Sequence, residues 1–104
     1  MDDLTWLSNW YTQQCDGGWE HQNGIKIETL DNPGWSLVID VEGTALETRS
    51  FADETHGLDP HSSSSSWWVC KVEGTKFRAA CGPHDLPSVL SRFRKWAETQ
   101  IRPL

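Results

Sequence analysis

The chain has 104 residues, a net charge of −6, seven tryptophans and three cysteines. That length holds one domain, which buries roughly 60–70% of its unfolded surface on folding and needs no obligatory staples. No apolar run is long enough to cross a bilayer, and the acidic balance disfavours nucleic acid as a partner.

Residues 3–15 read as a helix. Leu4, Leu7, Tyr11 and Cys15 fall on one stripe with Trp10 beside it, at three-and-four spacing. Asp2 and Asp3 suit its positive N-terminal end, and Gly17-Gly18 suits its stop. Next come Ile25–Leu30 and Trp35–Val41, two strands by strict alternation. Between them Asp31-Asn32-Pro33-Gly34 reads as a tight turn, with Pro33 presetting φ and Gly34 taking a positive φ.

Glu42-Gly43-Thr44 turns the chain into Ala45–Phe51, which reads as a third antiparallel strand. Residues 53–66 are polar and serine-rich, which predicts a flexible loop that little packing depends on. Trp67–Val72 and Lys76–Cys81 form a second hairpin. Its turn repeats the tetrapeptide Val41-Glu42-Gly43-Thr44 at Val72–Thr75, with glycine at a positive-φ position both times. A second helix spans about 86–101, with Pro87 in its first turn and Leu86, Val89, Leu90, Phe93, Ala97 and Ile101 inward. The order predicts a single α+β domain over residues 1–104. It has an antiparallel sheet of about five strands, with an N-terminal and a C-terminal helix packed on one face. The expected core is Leu4, Leu7, Tyr11, Ile25, Ile27, Leu37, Ile39, Val69, Leu90 and Phe93.

Three cysteines without a Cys-x-x-Cys pair argue for free thiols in a reducing cytoplasm. Met1–Leu4 lacks the basic and apolar regions of a secretory signal, in keeping with a cytoplasmic protein. Two groups invite an enzymatic reading: Cys15 with Glu20 and His21, and Cys70 with Cys81 and His84. The first is too close in sequence for the usual Cys–His dyad, which a fold assembles from distant parts. The second lacks the other pair of ligands that structural zinc requires. No catalytic, metal or cofactor site is therefore expected. A small cytoplasmic enzyme using one of these Cys/His/Glu groups, and a regulatory protein-binding domain, stand as the alternatives.

The charge is unevenly spread. Residues 1–60 hold twelve acids against Lys26 and Arg49, a balance of −10, whereas residues 61–104 carry +4. An acidic half favours a basic protein surface as the partner. Glu20, Glu28, Asp31, Asp40, Glu42 and Glu47 are its candidate contacts. Trp19 and Trp35 are candidate aromatic anchors, and His21 shares parity with Trp19 on an early extension of the first strand.

Several runs together carry a resemblance. They are Trp6–Tyr11, Cys15-Asp-Gly-Gly-Trp-Glu-His21, Gly24-Ile-Lys-Ile27, Thr29-Leu-Asp-Asn-Pro-Gly-Trp35 and Phe93-Arg-Lys-Trp96. In these the chain resembles the immunity protein 53 family of bacterial immunity proteins, encoded beside polymorphic toxins. The resemblance covers most of the chain and is weakest through 53–66. It implies an immunity protein (antitoxin) that neutralises its cognate toxin by stoichiometric binding, as a monomer in a one-to-one complex.

Overall fold

The first helix begins at Asp2, whose carboxylate accepts the Thr5 N–H at 2.7 Å and so satisfies one of the donors a helix start leaves open. In the computed structural model, which describes residues 1–58 and 66–99, this helix, α1, spans Asp3–Gln14. A single turn, α2, follows at Trp19–Gln22. The strands are β1 (Ile25–Leu30), β2 (Gly34–Asp40), β3 (Glu54–His56), β4 (Trp68–Glu73) and β5 (Lys76–Cys81), and α3 spans Leu86–Glu98. The five strands form one antiparallel sheet in the order β1-β2-β5-β4-β3. The fold is thus the expected α+β arrangement. None of the described helices is long and apolar enough to cross a membrane.

Register assigns the faces. Trp35, Leu37 and Ile39 of β2 stand opposite Cys81, Ala79 and Phe77 of β5, and these lie in line with Trp68, Cys70 and Val72 of β4. This face meets the helices. Phe77 and Phe93 are fully buried with ring centroids 5.1 Å apart, and Trp96 and Trp10 close around Phe93 at 6.0 and 5.0 Å. Edge-to-face rings of this kind add attraction beyond the area they bury.

The inward stripe of α1 differs from expectation. Leu7 and Trp10 are buried, while Leu4 is 60% and Tyr11 36% exposed. Trp6 and Trp10 both reach Phe93, so the helix is rolled toward its larger apolar rings. Ile27, also expected inside, is 39% exposed because β1 is an edge strand. Ile25 and Val69 are half-buried. In α3 the buried face runs through Val89, Leu90, Phe93 and Trp96, with Leu86 and Ala97 at its margin. The helix ends at Glu98, and Ile101 lies outside the described residues.

Two loops also differ. Ala45–Phe51 is not a strand: the Thr44 hydroxyl donates to Val41 O (2.7 Å) and accepts from Leu46 N–H (3.1 Å), giving the backbone a local alternative to a ladder. Arg49 then turns its guanidinium onto the carbonyls of Trp96, Ala97 and Thr99, at 2.8–3.2 Å, closing the end of α3. The fifth strand is supplied instead by Glu54–His56, inside the segment read as a polar loop; residues 59–65 of that segment lie outside the described residues. Its far end is anchored, since Asp85 accepts from the Ser66 hydroxyl and the Trp67 N–H, both at 2.9 Å.

Glycine serves the two hairpins differently. Gly43 and Gly74, the glycines of the repeated tetrapeptide, both have positive φ, +75° and +60°. Gly34 does not; it is the first residue of β2, and a Cβ there would collide with the carbonyl oxygen of Cys81. The β1–β2 turn needs its glycine for close strand packing rather than for a left-handed backbone.

Candidate partner-binding surface

Four of the twelve acids in the first sixty residues gather at one corner. After α1, Asp16 turns its carboxylate back onto the N–H groups of Gly18 and Trp19, at 2.9 and 2.8 Å. Glu20 reaches the other way and accepts from Asp16 N–H and Gly17 N–H at 3.0–3.1 Å. The two side chains thus make a reciprocal cap around Gly17-Gly18. Backbone donors hold both carboxyls below their ordinary range, chiefly Trp19 N–H for Asp16 and the residue's own N–H for Glu20.

Trp19 ties this corner to the chain leaving β2. Its ring is 8% exposed, edge-on to Trp10 and Tyr11 at 6.3 and 6.0 Å, and its indole N–H donates to Glu42 O at 2.7 Å. There Glu47 accepts the Gly43 N–H at 2.7 Å, and the Glu42 side chain is exposed. Asp16, Glu20, Glu42 and Glu47 therefore gather on two linked turns, and no cation among the described residues forms a salt bridge with any of them. His21 is exposed beside Glu20. Next to this corner, Tyr11 lines an open groove of about 320 Å³ with Leu7, Ser8, Gly24 and Ile25.

The other sequence candidates lie elsewhere. Glu28 and Asp40 face away from the helices, as their parity implies, but neither is unpaired. Glu28 meets Lys26 at 3.2 Å; Asp40 pairs with Lys76 and accepts the Gly24 N–H at 2.8 Å. The same sheet face carries Lys71 and Arg78, both on Glu73 at 3.7 and 3.2 Å, so its charges nearly cancel. Asp31 is exposed at the β1–β2 turn, and Trp35, half-buried, donates its indole N–H to Pro83 O at 3.0 Å. These two stand at the opposite end of β1 from Gly24, about 20 Å away along the strand.

Asp16 and Tyr11 belong to the corner without having been singled out from sequence. The Asp-Gly-Gly run after a helix is the signal for the first, since aspartate readily bonds backbone donors two and three residues on. For Tyr11 the helical stripe pointed inward, the opposite of its place.

The thiols have structural surroundings. Burial pushes Cys70 up to about 12 and Cys81 up to about 11, so both are protonated at neutral pH. Cys15 donates to Tyr11 O at 3.3 Å, and Glu20 is engaged with backbone amides rather than with His21. No group of three His, Cys, Asp or Glu among the described residues is placed to hold a metal ion.

No curated protein and no solved structure matches the chain. A family model does: the one described as immunity protein 53 matches residues 4–98.

Proposed function

The chain belongs to the immunity protein 53 family, and from that premise we propose that it neutralises a cognate toxin in the cytoplasm by direct one-to-one binding. Glu20, Glu42 and Glu47 meet a basic surface of the toxin, with Asp16 completing the field. The observation that carries this reading is the contrast between two groups of carboxylates. Those on the open sheet face are neutralised by lysine and arginine within the chain. Those at the Trp19 corner are held only by backbone N–H groups or by none, so their field reaches outward.

Trp19 acts as the strut that fixes the two turns relative to each other, and its burial removes it from the contact itself. Tyr11 and His21, exposed at the same corner, are the side chains able to add close contacts. Charge of this kind raises the association rate more than it slows dissociation.

Co-expression with the cognate toxin domain tests the reading. The two should co-purify at one to one, and the association rate should fall steeply as salt shortens the Debye length from about 10 Å at 0.1 M. An immunity chain that protects cells without forming a complex would overturn it.

A further inference from the structure

β1 is an edge strand whose outer side pairs with no described strand. The Asp40 N–H donates to Gly24 O at 3.0 Å, and antiparallel bonding alternates along the strand. Lys26, Glu28 and Leu30 therefore direct their backbone groups at β2, while Ile25, Ile27 and Thr29 direct theirs outward. Such an edge is a template for another strand unless its side chains forbid pairing. The side chains here permit one pairing in particular.

We propose that β1 pairs antiparallel with β1 of a second copy, about a two-fold axis through Ile27. Ile27 then exchanges both of its outward backbone bonds with Ile27 of the second copy. Lys26 stands opposite Glu28 of the second copy and Glu28 opposite its Lys26, so the ion pair within each strand, 3.2 Å, extends into a square of four alternating charges. Ile25 meets Thr29, and Leu30 meets Gly24. Moving the axis one residue to either side would set Lys26 against Lys26 or Glu28 against Glu28, and like charges directly opposite are destabilising. Charge thus favours the register centred on Ile27 over its two immediate neighbours, and the contact is self-complementary, as a two-fold interface must be.

The helix-side face supports the same occupant. Ile27 (39% exposed) and Leu4 (60% exposed) line a largely apolar groove of about 450 Å³ beside β1, together with Leu86, Pro87 and Leu90 and with Asp2 and Asp3 at the start of α1. Both residues of a cross-strand pair lie on one face of the sheet, so the axis brings the two Ile27 side chains together there, beside the two grooves. Apolar surface that each chain leaves to water is then covered. The joined sheet has twice the five strands of one chain, and the pairing uses none of Asp16, Glu20, Glu42 or Glu47.

A charge-exchange experiment on the full chain alone tests this, without any toxin. By sedimentation at low salt, the wild-type mass should rise with concentration from 11.8 kDa toward twice that value. Lys26→Glu and Glu28→Lys, each alone, should hold the mass at 11.8 kDa, because each puts like charges across the axis. Mixing the two variants in equal amounts should restore the doubled mass, and so should combining both substitutions in one chain. Cooperative unfolding of each variant, at a dilution where the wild type is itself monomeric, establishes that it is folded. A wild-type mass that stays at 11.8 kDa into the millimolar range would overturn the proposal. So would single variants that associate as the wild type does, or folded variants that fail to associate when mixed.

Discussion

The indole N–H of Trp19 and the carbonyl of Glu42, 2.7 Å apart, join two turns that lie 23 residues apart in sequence. One turn is closed by the Asp16–Glu20 cap and the other by Glu47 on Gly43, so this bond connects two locally rigid pieces. Trp19→Phe keeps most of the ring and removes the bond. It should lower the unfolding free energy by about 0.5–1.5 kcal/mol, whereas Trp19→Ala should cost about 3–5 kcal/mol through the cavity it leaves. Denaturant titration separates the two. A Trp19→Phe protein as stable as the wild type would mean that the bond contributes nothing beyond packing.

Arg49 binds three carbonyls at the end of α3 with one nitrogen of its guanidinium. Arg49→Met keeps part of the apolar stem and leaves those acceptors to water, with an expected loss of about 1–3 kcal/mol. Arg49→Lys should fall between, since an ammonium keeps the charge but not the planar fork. Thermal unfolding of the three proteins checks the order.

The acid limb of stability should report the corner. Asp16 and Glu20 have folded pKa values below their ordinary 3.8 and 4.5, so the folded state binds their protons less tightly than the unfolded chain does. Their contribution is complete above about 4.5 and declines as pH falls through the lower folded values. Wild type should therefore exceed Asp16→Asn with Glu20→Gln in stability at neutral pH, and the gap should close on acidification. A gap independent of pH would show that the carboxylates' charge is not what holds the turn.

The thiols give a reading at the other end of the scale. Cys70 and Cys81 are fully buried and have raised pKa values, while Cys15 is half-buried. In the native protein a thiol reagent should label Cys15 alone, and all three after unfolding. Because the folded state holds the Cys70 and Cys81 protons more tightly, their contribution is present below pH 9.0 and is lost as pH rises toward the folded values. Rapid native labelling of Cys70 would contradict the packing of β4 against the helices.

Local rules made much of this fold legible. Alternation on either side of Asp31–Gly34 located β1 and β2, and the Pro87 signal located α3 within one residue of its start. What alternation lacks is neighbours: Ile27 has the pattern of a buried residue but sits on an edge strand, and only topology decides which strand is outermost. Ala45–Phe51 departs from the expected strand because its bonds go to Gly43, Thr44 and the distant end of α3, partners that composition does not reveal. Charge was similarly half legible. Sequence located the acids in the first sixty residues, but the neutralisation of Glu28 by Lys26 and of Asp40 by Lys76 depends on side-chain geometry and strand register.

Position rather than pairing separates two further carboxylates of equal formal charge. Glu42 and Asp31 are both exposed, and neither forms an ion pair or side-chain hydrogen bond among the described residues. Glu42 stands at the Trp19 corner and Asp31 at the far turn of the β1–β2 hairpin. The association rate with the cognate toxin, measured for Glu42→Lys and for Asp31→Lys at low and high salt, tests the proposed binding surface most directly. The account predicts a fall of about tenfold or more for Glu42→Lys at low salt, shrinking at high salt, and a change of less than about twofold for Asp31→Lys. Equal effects of the two substitutions, or a larger one at Asp31, would contradict it.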